Sequence, residues 1–309
     1  MSAAAPDRGR RGALLAAAAL TFNAFVWGVS WWPFRRLESH GLHPLWATAI
    51  VYVFSLACLL AARPQAWRGF AREPRLWLLL AAAGLTNVGF NWAVTVGDVV
   101  RVVLLFYLMP VWSVLLAWLL LGERPAAAPL LRVALALAGV VVVLKTPDSP
   151  WPAPSTYADW LSLAGGFSFA LTNILLRKLD RAPAESRVMA LFGGGALMAS
   201  ATALAGMAQG LVAPPPVPAA SWVMVAFVLS LGFLAGNLAL QYGASRLSAH
   251  GVALVMLSEV VFASVSCVVL GAAEPSERTL LGGGLILLAA LLAALSSGAS
   301  APGARAREA

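Results

Sequence analysis

The sequence predicts an all-α membrane protein: ten transmembrane helices forming two inverted five-helix repeats, with both termini cytoplasmic. Three observations carry that expectation. Of 309 residues, 61% are hydrophobic and only 11% are charged, more apolar surface than a soluble fold of this length buries. The apolar residues gather into stretches close to the ~20 residues a helix needs to cross a bilayer. Finally, Val103–Gly122 is echoed by Val252–Gly271, where Val103, Leu105, Leu108, Val111, Leu121 and Gly122 match Val252, Leu254, Leu257, Val260, Leu270 and Gly271.

In chain order, residues 1–12 are small, polar and basic and read as a disordered cytoplasmic N-terminus. The first repeat, 13–145, holds spans at 13–33, 43–62, 75–96, 100–121 and 129–145. The first of these is too long for the apolar core of a signal peptide and reads as a retained helix. Pro74, Pro125 and Pro129 fall in the gaps, where a residue without an N–H does no harm. Residues 146–155 read as a periplasmic linker. The second repeat, 156–297, holds spans at 156–176, 187–209, 220–243, 250–270 and 278–297, with Pro183 and Pro214–Pro216 between them. A disordered cytoplasmic tail, 298–309, follows. Leu78–Leu85 and Val133–Leu144 are continuously apolar, unlike the alternating strands of a membrane barrel.

The net charge of +8 is scattered over short connections, so no basic domain exists to hold nucleic acid. It sets orientation instead. With loops assigned alternately from a cytoplasmic N-terminus, sixteen of 21 basic residues lie inside, leaving Arg35, Arg36, Arg101, Lys145 and Arg278 outside, in keeping with the positive-inside rule. Five helices per repeat force the second repeat to enter the membrane the other way up. Inverted repeats of this kind build transporters, with the substrate site near the midplane.

Polar residues inside the spans mark that site. Glu259 lies mid-span, where a charged side chain costs about 2.5–3.5 kcal/mol on insertion scales. It reads as a partner for a substrate ammonium or as a proton-binding group, against a packing role through a hydrogen bond to a neighbouring helix. Its counterpart in the echo is Pro110, a helix break that frees a carbonyl one turn back. Asn87 with Asn91, and Asn237 with Gln241, form i,i+4 stripes in corresponding spans; each stripe is a cavity lining or interhelical glue. Asn23, Trp27 and Ser30 share one face, as do Phe169 and Asn173. Trp27, Phe90, Trp92, Phe106, Tyr107, Trp112 and Phe169 lie deeper than the tryptophans near span ends, which are interface anchors by default. The Tyr107 hydroxyl needs a partner when buried. Arg101, beside Asp98, reads as an exposed turn with a weak ion pair or as a gating residue, and His250, at the equivalent position, carries the same two readings.

What is missing narrows the function. There is no GxxxxGK[ST], HExxH, GxSxG or TVGYG segment and the chain has two lysines, so no enzyme, nucleotide hydrolase or potassium channel is expected. No catalytic residue, metal ligand or cofactor is assigned. Cys58 and Cys267 lie in separate spans and read as packing residues without a disulfide.

The segment Leu119–Glu123, LLLGE, with a degraded copy at Val269–Glu274, and Trp27–Gly28 in the first span resemble the EamA type of the drug/metabolite transporter superfamily over about residues 14–296. The stretch Phe90–Pro110, FNWAVTVGDVVRVVLLFYLMP, looks most like the aromatic amino-acid exporters of the YddG type. The second copy is interrupted by Ala272–Ala273, so no role passes to Glu274. This resemblance implies a multi-pass protein of the bacterial inner membrane that exports aromatic amino acids, with methyl viologen as a further substrate. Trp27, Phe90, Tyr107 and Phe169 would face the substrate ring. Asn87, Asn91, Asn173, Asn237 and Gln241 would bind its polar end, and Glu259 its ammonium. A broad exporter of cationic drugs or other metabolites, a channel, and a non-transporting membrane scaffold remain as alternatives. Expected partners are the small-molecule substrate and the lipid bilayer, with the chain a monomer or homodimer.

Overall fold

The computed structural model describes residues 5–122, 127–144, 153–179, 181–247, 249–272 and 276–297. Helix dominates: the described residues form α1 (Ala5–Val29), α2 (Trp31–Ser39), α3 (Pro44–Ala62), α4 (Gln65–Arg72), α5 (Leu76–Val96), α6 (Val99–Phe106) and α7 (Met109–Leu121). These are followed by α8 (Ala127–Leu144), α9 (Tyr157–Lys178), α10 (Ala184–Ala208), α11 (Ala220–Ala244), α12 (Ala249–Met256), α13 (Ser258–Val269) and α14 (Glu277–Ser297). No strand occurs among the described residues. Each of the ten stretches expected to span is helical. Seven helical segments are long and apolar enough to cross a membrane: Leu14–Ser39, Pro44–Ala62, Leu76–Val96, Val99–Leu121, Tyr157–Lys178, Ala184–Ala208 and Ala220–Ala244.

Several boundaries differ from expectation. Helix α1 begins at Ala5, upstream of the first expected span at residue 13. The first span also continues through α2 to Ser39, which places Arg35 and Arg36 on a helix. Phe34 and Leu37 bury completely there, and that apolar face holds the extra turns. Residues 298–309, Lys145 and most of the linker, 146–152, lie outside the described residues, as do Glu123 and Glu274.

The fourth and ninth spans are each broken. Tyr107 and Leu108 separate α6 from α7, and Leu257 separates α12 from α13. Pro110 does not itself form the break. It occupies the first turn of α7, where its missing N–H would be unpaired in any case; the interruption falls just upstream. The two copies of the echo end alike, since Gly122 and Gly271 adopt φ of 71° and 64°, the left-handed conformation that closes a helix and favours glycine.

The first helix of each half packs into the other half. Helix α1 lies against α11, α12 and α13, whereas α9 lies against α5, α6 and α7. Helices α3 and α10 pair, and so do α8 and α14. Small residues permit these approaches, since packing in hydrocarbon relies on close backbone contact. A Cβ on Gly28 of α1 would stand 2.7 Å from the Glu259 carbonyl oxygen, and one on Gly166 of α9 would stand 2.6 Å from that of Phe106. Each broken helix is thus held at its break by a glycine from the other half.

Replacing Gly166 by alanine should lower the thermal stability of the detergent-purified protein by about 1–3 kcal/mol, the usual cost of overpacking. Gly284→Ala, where an added Cβ meets nothing within 4 Å, should leave the melting temperature unchanged or slightly raised.

Candidate functional site

The two helix breaks face one another. The Tyr107 hydroxyl lies 3.2 Å from Glu259 Oε2 and 3.3 Å from the Met256 carbonyl oxygen. Tyr107 and Met256 occupy equivalent positions of the echo, 149 residues apart. Glu259 sits in the first turn of α13 and is 8% exposed. Ser258 turns its hydroxyl back onto the Val255 carbonyl at 2.6 Å, satisfying an acceptor that the end of α12 leaves open. The position expected to be costly therefore has a buried partner from the other half.

Aromatic rings run from this pair through the bundle. Phe106 lies 6.4 Å from Tyr107, 5.5 Å from Phe169 and 4.8 Å from Phe90, measured between ring centroids. Phe90 lies 6.1 Å from Trp27, which meets Phe233 edge-on at 4.5 Å. Helices α1, α5, α6, α9 and α11 thus contribute to one ring cluster in offset or edge geometries, each worth about 0.5–1.5 kcal/mol beyond burial. Phe90, Trp27, Tyr107 and Phe169 were expected in the site. Phe233 was not, because a phenylalanine within an apolar span gives no polar or periodic signal. Phe106 was legible only as a deep aromatic.

The amide stripes behave differently. Asn87 accepts a hydrogen bond from the Tyr52 hydroxyl of α3 and donates to the Ala83 carbonyl at 2.8 Å. Asn91 donates to Thr48 Oγ1 at 3.2 Å, and its own amide oxygen is buried without a partner. The first stripe therefore ties α5 to α3. The second does not join the cluster: Asn237 is half-buried and Gln241 is exposed, because α11 turns Gly236 and Gly243 towards α1. Asn173 is also exposed, Thr172 and Ile174 being the buried positions at that level of α9. Equal spacing along a helix did not translate into equal surroundings.

At one end of the bundle Arg101 makes a two-pronged ion pair with Asp159, Nε to Oδ1 at 2.8 Å and Nη2 to Oδ2 at 2.9 Å. Its third nitrogen donates to the Val143 carbonyl at 3.1 Å. Asp159 is 1% exposed and also accepts from the Ser155 and Thr156 backbone at 3.0 and 3.2 Å. The expected Asp98–Arg101 side-chain pair is not formed. Asp98 instead caps α6, accepting from the Arg101 backbone N–H at 2.7 Å. Nearby, Arg35 donates to the Val94 and Gly97 carbonyls at the end of α5. His250 lies near the start of α12. Among the described residues no group of three or more His, Cys, Asp or Glu is placed to hold a metal.

Seven helical segments long and apolar enough to cross a membrane, packed around a buried acid and a cluster of edge-on and tilted rings, point to a multi-pass membrane protein. Residues 11–145 match the EamA-like transporter family. Protein RarD of Streptomyces exfoliatus is 30% identical over 177 residues, covering 53% of this chain and 52% of its own. An uncharacterized transporter of Vibrio cholerae is 32% identical over 148 residues, 45% of this chain and 48% of its own. The chain spans about half the length of these curated relatives. A crystal structure of a protein aligns over 92% of this chain and 98% of its own at TM-score 0.59 and 20% identity, a likeness of fold.

The pair is half-buried, with Arg101 18% and Asp159 1% exposed, so removing Asp159 strands a partly solvated guanidinium and loses charge-assisted hydrogen bonds worth about 1–3 kcal/mol. Asp159→Ala should lower thermal stability by that order in detergent. Arg101→Lys keeps the charge but loses the planar fork, and should cost less in the same unfolding measurement.

Proposed function

We propose that this protein is a secondary transporter that exports aromatic amino acids across the bacterial inner membrane by alternating access. The observation carrying this reading is the contact between Tyr107 and Glu259 at two facing helix breaks, set against the cluster of Trp27, Phe90, Phe106, Phe169 and Phe233. Rings suit a substrate ring, and a buried carboxyl suits an ammonium. The family match over residues 11–145 supports a transporter. The exchanged packing of α1 and α9 and the paired left-handed Gly122 and Gly271 support two five-helix repeats, and the distribution of basic residues supports cytoplasmic termini.

In this mechanism the substrate ring lies against Trp27, Phe90 and Phe169 while Glu259 balances its ammonium. Methyl viologen, a flat dication, would use the same rings through cation–π contact. Asn87 and Asn91 hold the α5 wall through α3. Arg101 and Asp159 act as a gate: opening that end of the bundle requires separating a buried two-pronged pair.

Proteoliposomes loaded with phenylalanine should show saturable counterflow of labelled phenylalanine, competed by tyrosine, tryptophan and methyl viologen. Absence of counterflow would sink the reading in favour of a channel or scaffold, and broader competition by unrelated cations would favour a general drug exporter. Glu259→Gln should reduce counterflow at least tenfold at unchanged membrane expression.

A further inference from the structure

The connection between the apolar segments Pro44–Ala62 and Leu76–Val96 contains the helix α4, and its place between two such segments puts it at the edge of the bilayer. Its buried positions, Ala66 and Phe70, recur at i,i+4, whereas Arg68 and Arg72 take the opposite side and are exposed. A helix that is basic on one face and apolar on the other lies in the headgroup layer instead of crossing it. Phe70 stacks on Trp67 at 6.0 Å and meets Trp77 of α5 edge-on at 5.0 Å. Both tryptophans are exposed, and tryptophan gathers at the level of the headgroups. Contacts with the second half fix the helix in place. The Ser186 hydroxyl of α10 donates to the Ala66 carbonyl at 2.9 Å, and a Cβ on Gly69 would stand 3.2 Å from Pro183 Cγ. Leu179, just past α9, belongs to the same apolar cluster as Phe70, which brings the exposed Lys178 and Arg181 alongside.

Arg63 and Arg75 flank the helix and are exposed as well. Among the described residues no carboxylate pairs with any of these four arginines. Glu73 is half-buried and accepts instead from the Arg75 backbone N–H at 3.3 Å. We infer that α4 and its flanks form a docking surface for anionic phospholipids, whose phosphates accept from Arg63, Arg68, Arg72 and Arg75 while their acyl chains pass Trp67 and Trp77. The guanidinium fork matches the geometry of a phosphate, and basic side chains beside a bilayer are drawn to its anionic lipids. Setting the orientation of a chain requires only that positive charge lie on one side, and any loop would serve. Arginines held on a packed helix fix where the anions sit. Arg246, on the same side by the alternating assignment of loops, is engaged differently: its guanidinium lies 3.7 Å from the centre of the Tyr242 ring and donates to the Tyr242 carbonyl at 3.1 Å. The surface is independent of what the protein carries.

The test titrates the full-length protein, purified in a neutral detergent, with dioleoylphosphatidylglycerol or dioleoylphosphatidylcholine. Retained lipid is counted by native mass spectrometry and the melting temperature is followed alongside. The wild type should retain the anionic lipid at least about tenfold over the zwitterionic one and melt higher in its presence. Arg68→Gln combined with Arg72→Gln should cut that preference at least about fivefold, the effect of one basic residue beside an anionic surface. Arg246→Gln should leave it unchanged. Equal retention of the two lipids by the wild type, or a preference untouched by the double variant, overturns the inference. An equal loss in Arg246→Gln also overturns it, because the preference then follows overall charge and not α4. Inorganic phosphate that raises the melting temperature as much as the anionic lipid does would assign the arginines to a soluble anion and reject the lipid. Should the double variant fail to fold, as judged by its melting curve, Arg63→Gln combined with Arg75→Gln decides by the same criteria.

Discussion

Inside hydrocarbon an unpaired backbone carbonyl or N–H finds no water, and each one costs several kcal/mol. That constraint makes the facing breaks between α6 and α7 and between α12 and α13 the centre of the structure. A chain that interrupts an apolar helix needs something to receive the freed groups, and here the Tyr107 hydroxyl of one break faces the Met256 carbonyl of the other. Glu259 is tolerated in the same place because it shares that hydroxyl. Gly28 and Gly166 then bring α1 and α9 close enough to exclude lipid from the interrupted turns. Remove the juxtaposition and two breaks, one carboxyl and two close crossings all lose their justification together.

The spans were legible because apolar length is a coarse property that tertiary context rarely reverses. Pro110 located one break to within a few residues, and the insertion cost of Glu259 and the hydroxyl of Tyr107 singled out the two side chains that meet; the break at Leu257 carried no such signal. What the sequence concealed were partnerships across long separations. Arg101 pairs with Asp159, 58 residues away, although Asp98 stood closer in sequence; a carboxylate at a helix start is more useful to the backbone N–H groups there than to a side chain. Asn23 looked like one polar residue on a face, and only the packed structure shows its oxygen stranded and its nitrogen on Met256. Phe233 carried no signal at all. Asn173 and Gln241 stand on exposed faces, since spacing predicts which residues share a face but not whether that face is covered.

The two copies of the sequence echo are chemically unequal at their starts. One end of the bundle concentrates Arg35, Arg101 and Asp159 on helix termini and carbonyls. The residue equivalent to Arg101 in the echo is His250, which lacks the guanidinium fork that makes a two-pronged pair. The two copies of the echo thus differ in charge chemistry at matched positions. In the carrier proposed above, such a difference would bias the resting population towards the state closed at the paired end.

The exchange of first helices between halves also sets an order of assembly. Trp31 of α2 donates to Ser266 and Asn23 of α1 to Met256, contacts that span 235 and 233 residues of chain. During synthesis, α1 and α2 enter the bilayer long before those partners exist, with a buried-type amide and an indole N–H facing lipid or transient neighbours. Chains dominated by such distant contacts close slowly. The first helix made is among the last to be locked, and the nascent protein must wait in the membrane, incompletely satisfied, until α12 and α13 arrive.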